Sequence, residues 1–93
     1  MATQGAREAR PSKKIIPESP MEFRSALARF YLAVDAEGMD ARRKLNELAQ
    51  WFGGSAGEII AAHVPQQDAD TAYPTCLSRL EQLYGGNADS IVP

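Results

Sequence analysis

The side chains in this sequence that could do chemistry are few and scattered. Two carboxylate pairs stand close along the chain, Asp35 with Glu37 and Asp68 with Asp70. Two carboxyl groups can divide acid and base duties when their surroundings push their pKa values apart. Each pair here falls at an expected helix end or loop, where capping and solvation account for it better. Asp89-Ser90-Ile91 begins like the Asp-Ser/Thr-Gly sequence of an aspartic protease but lacks its glycine. His63 is the single histidine, and metal or catalytic use would need partners that the sequence does not supply. It reads as a helix-end residue. Cys76 is the single cysteine, so no intrachain disulfide and no zinc knuckle can form. A small buried hydrophobe is the reading favoured for it over a reactive thiol. There is no Walker loop, nucleophile elbow or metal-ligand spacing. The sequence therefore reads as that of a non-enzyme, with no catalytic residue, cofactor, metal or small-molecule substrate.

The bulk numbers set the scale of what can position any side chain. A chain of 93 residues makes one domain at most. Such a chain buries only about 60–65% of its unfolded surface, so it can lean on a partner for stability. Hydrophobic content of 44% and charged content of 24% are ordinary for a globular protein. A net charge of -2 argues against wholesale nucleic-acid binding. No apolar run approaches the roughly 18 residues of a membrane span, and the N-terminus lacks the apolar core of a signal peptide. Together with the lone cysteine, this gives an intracellular, cytoplasmic expectation with no membrane contact. Charge is uneven. Residues 1–18 carry four basic and two acidic side chains, against six and ten in residues 19–93. The first segment is polar and broken by Pro11 and Pro17, and is expected to be a flexible basic arm. The favoured reading is a solvated linker. The functional one is a weak contact with nucleic acid or acidic protein.

Four stretches show helical spacing, and none shows the sustained alternation of a strand. Ser19-Pro20-Met21-Glu22 forms a capping box with proline at the first helical position. Phe23, Leu27, Phe30, Tyr31 and Val34 then share one helix face, and Gly38 stops it. Asp40 is expected to cap a second helix whose buried stripe is Leu45, Leu48, Ala49 and Phe52. Arg42, Arg43 and Lys44 crowd its first turns, the wrong end for the helix dipole. They are either a solvated face, the favoured reading, or an interface or nucleic-acid contact. Trp51 either extends the core, again favoured, or stays partly exposed for a partner. Gly53 and Gly54 end this helix. A third is expected from a second capping box, Ser55-Ala56-Gly57-Glu58, with Ile59 and Ile60 as its apolar weight and Pro65 at its end. Asp70 is expected to cap the fourth, placing Pro74 in the first turn. Tyr73, Leu77, Leu80 and Tyr84 form its stripe, with Leu83 alongside, before Gly85-Gly86. The fold class is all-α, a compact bundle of about four short helices behind the arm, with a domain over 19–86 and a frayed or truncated tail over 87–93. Ile91 and Val92 in that tail hint at a domain that continues in a longer relative.

The corner between helices two and three also fits a helix-turn-helix. Leu48-Ala49, Phe52-Gly53, Ser55 and Ile59 occupy suitable positions. The recognition helix would then present Ala56, Gly57, Glu58, Ala61, Ala62 and His63, with no Arg, Lys, Asn or Gln to read base edges.

A broader pattern resembles the Gag capsid region of LTR retrotransposons, gypsy-like and BEL/Pao-like. It comprises Phe23-x-x-Ala26-x-x-x-Phe30, Lys44-Leu45-x-x-Leu48 and Gly54-Ser55-Ala56, then Ile59-Ile60, Tyr73, Leu80, Leu83 and Tyr84-Gly85. The match spans roughly residues 20–86. It departs from the family at the first helix, where Phe23 stands for a tryptophan and Ala26 for a phenylalanine. The second capsid half, zinc knuckle and protease of a full Gag are missing, so the resemblance is to one lobe or fragment. It implies a structural, self-associating domain that presents helix faces to copies of itself. Tyr31, Trp51 and the Arg42-Arg43-Lys44 cluster are the candidate interface residues, since aromatics and arginine are favoured at interface centres. The alternatives are a DNA-binding helix-turn-helix and a generic helical adaptor.

Overall fold

Residues 10–84 are described by a computed structural model, and the first helix among them starts where its capping residues stand. Helix α1 runs Pro20–Glu37. The Ser19 hydroxyl accepts from the Glu22 N–H at 3.1 Å, and the Glu22 carboxylate accepts from the Glu18 N–H at 2.8 Å. Helix α2, Ala41–Trp51, is capped by Asp40, whose carboxylate accepts from the Arg43 N–H at 2.9 Å. Helix α3 runs Gly54–His63 and helix α4 runs Ala69–Leu83. The described residues are thus an all-α bundle, their only extended pairing being one isolated bridge.

The last two helices begin differently from expectation. Gly53, not Ser55, is the cap of α3, and no side chain caps it, so the second capping box does not form. The reason is Gly54, which turns the corner at φ +64 and lets the helix start two residues earlier. A Cβ there would lie 2.8 Å from Ile16 Cγ2, so the corner is also packed tight. Helix α4 is capped by Asp68 instead of Asp70. Asp68 accepts from the Thr71 hydroxyl at 2.8 Å and from its N–H at 3.3 Å. The earlier start moves Pro74 into the helix interior, where it cannot donate to the Asp70 carbonyl.

One core joins all four helices. Phe23, Leu27, Phe30 and Val34 come from α1, and Leu45, Leu48, Trp51 and Phe52 from α2 and its end. Ala56 and Ile60 come from α3, and Ala72, Cys76 and Leu80 from α4. The stripe of α4 is therefore centred on Cys76, with Tyr73 and Leu77 at its margins. Burial pushes the Cys76 thiol up to about 11, which keeps it protonated and unreactive near neutrality. Helix α4 packs on both α2 and α3. Phe23 stacks on Tyr84 at 4.7 Å and meets Phe52 at 5.9 Å, which ties α1 across the bundle. Burying each such large side chain contributes about 1.5–3 kcal/mol.

The second half of the expected arm is not free. The Ile15 N–H donates to the Trp51 carbonyl at 2.7 Å, and the Gly53 N–H donates to the Ile15 carbonyl at 2.9 Å. Pro17 is buried. Residues 10–18 therefore form a strap across the α2–α3 corner. Residues 1–9 of the arm, and the tail over 87–93, lie outside the described residues.

Candidate interaction surface

The five residues singled out in the sequence do not share one surface. Trp51 is fully buried, with Phe30 edge-on to its ring at 5.6 Å. Its indole N–H donates to Glu47 Oε2 at 2.9 Å, so the side chain is buried without stranding a donor. An exposed role for Trp51 at an interface is thereby corrected. Tyr31 sits at the edge of the α1 stripe, 37% exposed. Partial burial, and then Glu81, raise its phenol above the ordinary range.

The basic cluster at the start of α2 is explained by its neighbours. The Arg42 guanidinium donates to the Val64 and Gln66 carbonyls, and to that of Gln67 at 3.3 Å. These carbonyls follow the C-terminus of α3, where a cation is favoured by that helix's dipole. Arg43 pairs with Glu37 at 3.3 Å on the surface. Lys44 Nζ lies 5.5 Å from the centroid of the Tyr73 ring, a cation–π contact. The Tyr73 phenol is raised by burial first, then by Tyr31, Asp35 and Cys76. Tyr31, Tyr73 and Lys44 therefore line one seam between α1, α4 and α2. Arg42 and Arg43 serve other joints.

Glu47 is the polar centre that the sequence reading missed. Only 7% exposed, it takes a two-pronged ion pair from Arg10, at 2.7 and 2.9 Å, besides the Trp51 indole. The Arg10 guanidinium, then the Trp51 N–H and the charges of Arg10 and Arg43, hold its carboxyl below the usual range against the cost of burial. The single signal in the sequence was its place one helical turn before Trp51.

A groove of about 580 Å³ opens between α3 and α4. Ile59, Ala62 and Leu83 give its apolar lining, and Glu58 and Arg79 stand on it from opposite helices. Leu83 is 43% exposed. With no capping box to hold it, Glu58 is exposed and bonds to nothing among the described residues, and the same is true of Arg79. His63 also borders the groove but is buried, its Nδ1–H donating to the Ile59 carbonyl at 2.9 Å. Ala56 too points inward. The outward side of α3 is thus Ser55, Glu58, Ala61 and Ala62, one acid and no base.

Among the described residues no three His, Cys, Asp or Glu side chains converge as a metal site would need. No helix there is long and apolar enough to cross a membrane. Comparison with protein-family models, curated proteins and solved structures returned no match.

Proposed function

We propose that this chain is a non-enzymatic structural domain that associates with copies of itself, resembling one lobe of a retrotransposon Gag capsid. The observation that carries the reading is where the resembling residues lie. Phe23, Ala26, Phe30, Leu45, Leu48, Ala56, Ile60 and Leu80 all fall in a single core, with Ile59, Tyr73 and Tyr84 packed on it. Their order and spacing are those of a packing scaffold. The buried polar groups and the basic cluster join elements within the molecule, which leaves helix faces as what the domain offers to others. Met21 and Leu32 of α1 and Leu83 of α4 stand exposed on such faces. The place of action is intracellular and cytoplasmic. A weak nucleic-acid contact would fall to exposed Lys13 and Lys14, since Arg10 is engaged by Glu47. The acidic outward side of α3 gives the helix-turn-helix alternative no support.

The test is solution mass by size-exclusion chromatography with light scattering, over a hundredfold range of protein concentration at two salt concentrations. Mass should rise with concentration toward dimers or larger species. A strict monomer throughout would overturn self-association by this chain.

A further inference from the structure

The α3–α4 groove carries one acid and one base on the same patch of surface. Both are exposed, both border the same apolar lining, and neither is paired among the described residues. The other candidate polar side chains, Glu47, Arg42, Arg43 and Lys44, are each engaged within the molecule. A patch with one charge of each sign is complementary to itself. Consider a two-fold axis lying in the groove face, midway between Glu58 and Arg79 and perpendicular to the line joining them. It exchanges the two positions, so each acid faces the base of the other copy. Two-fold interfaces are built this way, the same patch serving on both sides.

We propose that this groove is a two-fold interface between two copies of the chain, with Glu58 of each facing Arg79 of the other around Ile59, Ala62 and Leu83. The proposal rests on the self-association reading and locates its face. The apolar residues supply the burial, and the two charge pairs at the rim set register and exclude other partners. Leu83, 43% exposed on the single chain, is covered by the second copy.

The experiment uses the full chain in three forms: wild type, Glu58→Arg and Arg79→Glu. Either substitution alone gives a face whose two charges have one sign, so copies of that variant repel. The two variants mixed are complementary again, because Arg at 58 and Arg79 of one meet Glu at 79 and Glu58 of the other. Sedimentation velocity at low salt should show wild-type dimers and each variant alone weakened by about tenfold or more. An equimolar mixture should recover the wild-type dimer level. That recovery also shows both variants folded. A wild-type chain that dimerises with both variants dimerising equally well would overturn this face while leaving self-association standing. Variants that are folded by circular dichroism but stay apart when mixed would overturn the pairing. A wild-type monomer at every concentration would overturn self-association itself, and this face with it.

Discussion

Glu47 shows how one side chain can organise a small fold. A carboxylate this deep is costly unless several donors meet it, and here the Arg10 guanidinium and the Trp51 indole do so. Its folded-state pKa lies below the unfolded value, roughly 4.3 for an unperturbed glutamate. The pairing therefore stabilises the fold fully above that value, and the contribution is lost as pH falls through the folded-state pKa. Glu47→Gln keeps the shape and removes the charge. Since Arg10 is 33% exposed, the low end of the range for charged hydrogen bonds applies, about 1–2 kcal/mol at pH 7. Urea unfolding of both proteins should show that gap at pH 7, narrowing as pH falls below the unfolded value of about 4.3 and closing as it passes through the folded-state pKa. A gap unchanged with pH would sink the assignment. The sequence could not show this site because Arg10 lies 37 positions before Glu47. Periodicity describes neighbours along a helix, and this pair is made by a segment with no periodicity at all.

At the scale of the elements, the starts of α1 and α2 were legible because each has one strong cap with nothing competing beside it. The starts of α3 and α4 were not, and for different physical reasons. At α3 the backbone decides: a left-handed Gly54 permits an earlier turn than Ser55 would. The Gly57 position allows close approach as well, since a Cβ there would meet the Phe52 carbonyl at 3.0 Å. At α4 two aspartates compete, and Asp68 wins because Thr71, three residues on, offers it both a hydroxyl and an N–H. Tyr73 stands in the same relation to Asp70 and offers no comparable hydroxyl. The consequence for stability is a sharp contrast around the corner. Phe52→Ala should cost about 3–5 kcal/mol, because it empties the junction between the strap, α1 and α2. Glu58→Ala would have cost about 1 kcal/mol as a capping residue. Outside any cap, it should change stability by less than about 0.5 kcal/mol. Thermal melts of the two variants check this, and a loss near about 1 kcal/mol for Glu58→Ala would mean that α3 is capped after all.

For the molecule as a whole, the four-helix count and most of the core could be read from apolar spacing. Phe23, Phe30, Leu45, Leu48 and Leu80 are where that spacing puts them. What could not be read is what the helices do to one another. Arg42 looked misplaced on its own helix and is well placed at the end of α3, and Glu58 looked committed to a cap and is free to face the groove. The strap and the groove share no lining residue. Arg10→Ala should therefore loosen the strap, seen as faster amide exchange at Ile15 and Gly53, while leaving the concentration dependence of the mass unchanged. A variant that altered both would show that strap and groove act together. The chain also carries its own indicator of the strap. Its one tryptophan shares the Glu47 carboxylate with Arg10. The emission of that single indole should therefore shift when Arg10→Ala breaks the latch. The two-fold contact proposed at the groove would involve no atom of that reporter, so emission and mass would give two separate signals from one unlabelled sample.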